Sequence, residues 1–137
     1  MTQIWHCPHT PPSTNHLFPT YGKRRVKSNE YKAWIESAGW SLAAAKLKKH
    51  IFPVNLLLTF GNLPAASDVS NRIKAVEDLL VTHGILPGDS IKHVHSVTAC
   101  ISSEPFEGFE VEISHSKNPR DLVLHDRRAI KPVKVAA

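Results

Sequence analysis

The sequence has few of the features that mark a secreted, fibrous or membrane-embedded protein. It contains two cysteines, Cys7 and Cys100, which is too few for a disulfide framework. It shows no internal repeat, and its longest apolar stretch, Val54 to Phe60, is far shorter than the roughly 20 residues that cross a bilayer. The N-terminus has no basic segment followed by an apolar one, so the sequence predicts no signal peptide and, by default, a cytoplasmic protein.

The chain instead has the length and composition of one basic globular domain. It has 137 residues, of which 42% are hydrophobic, and a net charge of +5. Residues 16–49 carry eight Lys or Arg against two acidic residues, residues 115–137 carry six against two, and the centre, 50–103, carries three against four. Basic flanks around a more acidic centre favour a polyanionic partner such as DNA. The alternative is a solvated basic surface with no such partner.

Hydrophobic periodicity predicts an α+β fold. Residues 3–7, 54–60, 91–101 and 108–114 are predicted to be strands, and 29–49 and 69–83 to be amphipathic helices. The prolines of segment 8–27 predict a constrained loop. The resulting order, β-α-β-α-β-β, indicates a two-layer domain with both helices packed on one small mixed sheet. This domain is expected to span residues 1–114, and 115–137 to form a basic C-terminal tail, extended or partly disordered.

Polar and acidic residues concentrate around the second helix. Asp68 lies at its start, Asn71 and Lys74 follow on the same side, and Asp89 stands in the loop after the helix. Two carboxylates, an amide and an ammonium suit phosphodiester hydrolysis, because carboxylates and waters hold Mg²⁺ and a lysine offsets negative charge in the transition state. The alternative is purely structural. Asp68 then caps the helix, Lys74 pairs with Asp78 four residues later, and Asp89 is a turn residue.

This stretch resembles the RusA family of Holliday-junction resolvases. The family signature is D-x-D-N-x-x-K at a helix start, followed by an acidic residue in the loop beyond the helix. Here D-V-S-N-R-I-K spans 68–74 and Asp89 supplies the later acid, while P-P-S-T-N at 11–15 is similar to the family's P-P-S-x-N segment. The resemblance covers roughly residues 3–114.

The resemblance implies a homodimeric, often prophage-borne endodeoxyribonuclease that resolves four-way DNA junctions in recombination and repair. It implies Mg²⁺, with Mn²⁺ as a substitute, and neither an organic cofactor nor a membrane partner. Asp68 and Asp89 would bind the metal, Lys74 would act on the scissile phosphate, and Asn71 would orient the site and contact DNA together with Asn15.

One position departs from the family pattern. Ser70 stands where the second aspartate of the signature is expected, and it offers a neutral oxygen that is a weak metal ligand or holds a metal-bound water. A catalytically weakened or inactive relative that still binds branched DNA is therefore the alternative. A third interpretation is a structural subunit whose basic face binds a protein.

The remaining candidates are cationic and histidine side chains. Lys23, Arg24, Arg25 and Lys27 follow the proline-rich loop, and Arg72 is expected on the exposed side of the second helix, so these five are predicted to contact DNA phosphates. His93 and His95 are predicted to share one face of a strand, where they either assist the metal site or pack structurally.

Overall fold

The computed structural model describes residues 2–13, 20–21, 24–48 and 52–116. Within these ranges the elements are β1 (Thr2–Cys7), β2 (Thr20–Tyr21), β3 (Arg24–Arg25), α1 (Asn29–Ala45), β4 (Val54–Phe60), α2 (Ile73–Thr82), β5 (Val94–Ile101) and β6 (Phe109–His115). A short 3-10 helix, Val69–Arg72, leads directly into α2. The four long strands and both helices follow in the predicted order, with the small β2–β3 hairpin added inside the proline-rich segment.

The four long strands form one mixed sheet in the order β1-β6-β4-β5. Strands β4 and β5 are parallel and are joined through α2, whereas β6 runs antiparallel to both β1 and β4. Strands β2 and β3 pair with each other in a separate antiparallel hairpin. The predicted α+β class with a small mixed sheet is confirmed.

The hydrophobic core lies between one face of this sheet and the two helices. Strand β4 shows why, because its residues alternate strictly between buried and half-buried positions, as expected for a strand with one covered face. Phe109 is fully buried at the centre, with its ring 5.2 Å from that of Trp5 and 6.0 Å from that of Phe60. Trp34 on α1 is also buried, as the helical periodicity predicted, while Trp40 is 74% exposed.

Local signals in the sequence set two of the four helix ends. Ser28 caps α1 by accepting a hydrogen bond from the Tyr31 backbone N–H (3.0 Å), and Gly84 ends α2 with a left-handed φ of 74°. The prediction that the first helix reaches residue 49 was wrong. Lys46 adopts a left-handed conformation and its N–H donates to the Ala43 carbonyl, which closes α1 at Ala45.

Strand β5 begins later than predicted. A turn closed by hydrogen bonds from the His93 and Val94 N–H groups to the Ser90 carbonyl precedes it. Val94 then pairs with Val54 and Ser96 with Asn55, so His95 is the extra residue of a bulge. The expected common face for His93 and His95 is therefore wrong, because one precedes the strand and the other interrupts its alternation.

The end of the folded part also differs slightly from the prediction. His115 still belongs to β6, and Ser116 is buried with its N–H bonded to the Pro53 carbonyl (2.9 Å), so both residues assigned to the tail are part of the domain. The rest of the predicted tail, 117–137, lies outside the described residues. The same holds for the predicted DNA contacts Asn15 and Lys23 and for the side chains of Arg24 and Arg25. In the described ranges every helix falls short of the length and apolarity of a transmembrane span.

Candidate active site at the second helix

Asp68 is placed at the junction of a loop and the 3-10 helix. Its backbone is extended, and its side chain makes no capping hydrogen bond to the backbone. Instead the Asn71 side-chain amide donates to the Asp68 carboxylate (3.2 Å), and the Asn71 backbone N–H donates to the Asp68 carbonyl (3.2 Å). Asn71 therefore holds the Asp68 carboxylate through this hydrogen bond, and Ser70 between them is exposed.

Lys74 joins two acidic side chains that come from different elements. Its ammonium lies 3.1 Å from a carboxylate oxygen of Asp78, one turn further along α2, and 3.9 Å from an oxygen of Asp89. The chain after α2 thus returns along the helix, and this return brings Asp89 to Lys74 although 15 residues separate them in sequence. The structural alternative, an i,i+4 pair of Lys74 with Asp78, is also present. The two interpretations therefore coexist in one cluster.

The cluster carries excess negative charge. Burial raises the pKa of Glu77 first, and nearby Asp89 raises it further, while Lys74 lowers it. The hydrogen bond and charge of Asp78 raise the pKa of the Lys74 ammonium, so this lysine stays protonated. Three carboxylates surrounding one ammonium leave a formal charge of minus two when all are ionised. Such a cluster attracts a cation and, on its own, repels a phosphate.

Arg72 was predicted to lie on the exposed side of the second helix, and this prediction was wrong. It ends the 3-10 helix with its side chain half-buried. One terminal nitrogen donates to the Pro11 carbonyl (2.6 Å) and the other to the Ser67 hydroxyl (3.1 Å). The rotation of the 3-10 turn, which sequence periodicity does not reveal, directs this side chain toward the proline-rich segment. Its contact with DNA phosphate stays a prediction.

A groove of about 260 Å³ opens beside the acidic cluster, between α1 and α2. Asp78 and Asp89 line one side, and Lys27 and Tyr31 line the other, with the Lys27 ammonium 5.9 Å from the centre of the Tyr31 ring. The sequence predicted Asp78 only as a structural partner of Lys74 and Lys27 as a phosphate contact, and it placed neither of them beside Asp89. Lys27 belongs to the basic run at 23–27, and only the tertiary structure brings it into the groove beside the acidic cluster.

No group of three or more His, Cys, Asp or Glu side chains in the described ranges is arranged to hold a metal ion. His93 packs edge-on against Phe52 (5.9 Å between ring centres), and a ring nitrogen of His95 bonds the Ser116 hydroxyl (3.0 Å), so both histidines have structural partners. The predicted Mg²⁺ site uses two carboxylates completed by water, and it stays a prediction. Comparison of the chain with family models and with curated proteins returned no match. The likeness to the RusA family therefore depends on the sequence motifs alone.

Proposed function

We propose that this protein is a Mg²⁺-dependent endonuclease that cuts branched DNA in the manner of the RusA family, as a homodimer acting on recombination intermediates in the cytoplasm. The observation that carries the proposal is the 3.9 Å approach of Asp89 to Lys74. A site shared with Asp68 requires the chain after the helix to return to the helix start, and the approach to Lys74 supports such a return.

The charge of the site supports a divalent cation. A phosphodiester is an anion, and the negative cluster around Lys74 opposes its approach unless a cation offsets the repulsion. The donors match Mg²⁺, which prefers hard oxygen ligands and accepts one or two carboxylates with waters and phosphate oxygens filling the other positions. Asp68 and Asp89 would hold the ion, and the Ser70 hydroxyl would bind it weakly or hold one of its waters.

The protein's own groups would then divide the remaining work. Mg²⁺ supplies charge neutralisation at the phosphate and activation of a water. Asn71 holds the Asp68 carboxylate in one orientation through the 3.2 Å hydrogen bond. Lys74, which is protonated and half-exposed, moves from its carboxylate partners to the scissile phosphate and stabilises its added negative charge. Asn15, Lys23, Arg24 and Arg25 would contact the flanking DNA.

One observation favours the second candidate, a protein that binds branched DNA without cutting it. Lys74 is already neutralised by Asp78 and Asp89, and Ser70 removes one carboxylate from the metal site. In that case the cluster is a structural ion-pair network, and the basic segment at 23–25 provides the DNA affinity.

Cleavage of a labelled four-way junction by the purified protein separates the two candidates. The nuclease proposal expects cleavage with Mg²⁺ or Mn²⁺, none in EDTA, and loss of cleavage in Asp68→Asn and Lys74→Gln. Glu104→Gln is the matched control, since it also removes one charge but lies exposed in the β5–β6 connection. Equal cleavage by wild type and Asp68→Asn would contradict the site. Tight, salt-dependent junction binding without cleavage would establish the second candidate.

A further inference from the structure

Arg72 connects two segments that are distant in the sequence and that both carry predicted functional motifs. Its guanidinium bonds the carbonyl of Pro11, in the P-P-S-T-N segment, and the hydroxyl of Ser67, the residue before Asp68. Ser67 itself ends a turn that its N–H closes on the Pro64 carbonyl (2.9 Å). One side chain thus links Pro11 to the loop that carries Asp68.

The geometry is that of a support rather than of a DNA contact. Both terminal nitrogens already donate to protein oxygens, and the Nε atom is buried, with no partner among the described residues. Because a guanidinium is a planar, rigid fork, two simultaneous hydrogen bonds define both the distance and the orientation between the groups that accept them. A residue held in this way cannot turn to a phosphate without releasing Pro11 and Ser67.

We infer that Arg72 is a positioning residue. It holds Pro11 against the start of the 3-10 helix and thereby sets where Asp68 stands relative to Lys74. This inference rests on the proposed function for its effect on cleavage, but not for its effect on the loop. Small misplacements of reacting groups reduce rates strongly, so the effect on cleavage is expected to be large.

The first test separates positioning from phosphate binding. In Arg72→Gln, single-turnover cleavage of a four-way junction should fall by about tenfold or more, while junction affinity and its salt dependence stay as in wild type. A lost phosphate contact would instead weaken binding and reduce the slope of log K against log salt by about 0.9. Lys32→Gln, which removes one exposed charge from α1, controls for the change in net charge. A reduced slope in Arg72→Gln alone would overturn the inference.

The second test separates positioning from general stability. Arg72→Lys keeps the charge and one donor, so it should restore part of the cleavage, and Ser67→Ala should reproduce part of the defect. Ile113→Val, a core change in β6, lowers the melting temperature without touching the loop and should keep normal cleavage below its Tm. If the cleavage rate follows Tm across these three variants and Arg72→Gln, Arg72 is only a structural residue and the inference fails.

Hydrogen exchange of backbone amides tests the role of Arg72 without requiring catalysis. Hydrogen exchange should accelerate by about tenfold or more at residues 67–73 in Arg72→Gln, including the Asn71 N–H, and stay unchanged in β4 and β6. Unchanged exchange at 67–73 would overturn the inference even in an active enzyme. A wild-type protein that does not cleave would end the proposed function, while exchange and salt dependence would still decide the role of Arg72.

Discussion

Replacing Asp89 by Asn tests the candidate site with little change to the fold. The Asp89 carboxylate is 3.9 Å from the Lys74 ammonium, and the two side chains are 54% and 53% exposed. A pair that exposed contributes about 0.2–1 kcal/mol. Asp89 also repels Glu77, whose pKa it raises, and this repulsion offsets part of the attraction. The free energy of unfolding should therefore change by less than about 1 kcal/mol, and Tm by less than about 5 °C.

Activity should change far more than stability. Under the proposed function Asp89 holds Mg²⁺, and its loss should then reduce junction cleavage by about a hundredfold or more, the size found for removal of one preorganised charge-stabilising group. The assay is single-turnover cleavage of a labelled junction at saturating protein, with Tm from calorimetry on the same sample and Glu104→Gln as the charge control.

Two results would refute this reasoning. The first is unchanged cleavage by an Asp89→Asn protein of unchanged Tm, since Asp89 would then have no part in the reaction. The second comes from NMR titration of Glu77. Its pKa should fall in Asp89→Asn, because a neighbouring negative charge has been removed. An unchanged Glu77 pKa would show that Asp89 does not stand beside the cluster in solution.

Three further predictions concern stability. Burial raises the pKa of Glu77, so the folded state favours the protonated form and loses stability as pH rises through that pKa. Glu77→Gln should therefore raise Tm near pH 7, with no gain below pH 4.5, the usual pKa of a glutamate. A lower Tm near pH 7 would contradict this. Phe109→Ala should lower the free energy of unfolding, measured in urea, by about 3–5 kcal/mol, since the ring is fully buried against Trp5 and Phe60. A decrease below about 1 kcal/mol would contradict the described core. Gly108→Ala should destabilise by more than about 1 kcal/mol, because φ is 89° and the added Cβ would overlap a neighbouring carbonyl; an unchanged urea midpoint would contradict it.

The sequence by itself determined the elements whose causes are local. Alternating apolar residues defined β4, the Ser28 cap began α1, and Gly84 ended α2, because each depends on neighbours within about four residues. The order of strands and helices then restricted the fold to a small mixed sheet covered by helices on one face. The same local reasoning paired Lys74 with Asp78, and that pair is present.

The tertiary structure alone decided what depends on distant segments meeting. The approach of Asp89 to Lys74 requires the chain after α2 to return along the helix, and no local pattern encodes that path. Arg72 changed from an expected surface contact to a half-buried link because its partner, Pro11, is 61 residues away. The bulge at His95 arises from pairing with β4, so alternation within β5 could not reveal it. Local preferences set the elements, and long-range packing set which side chains meet.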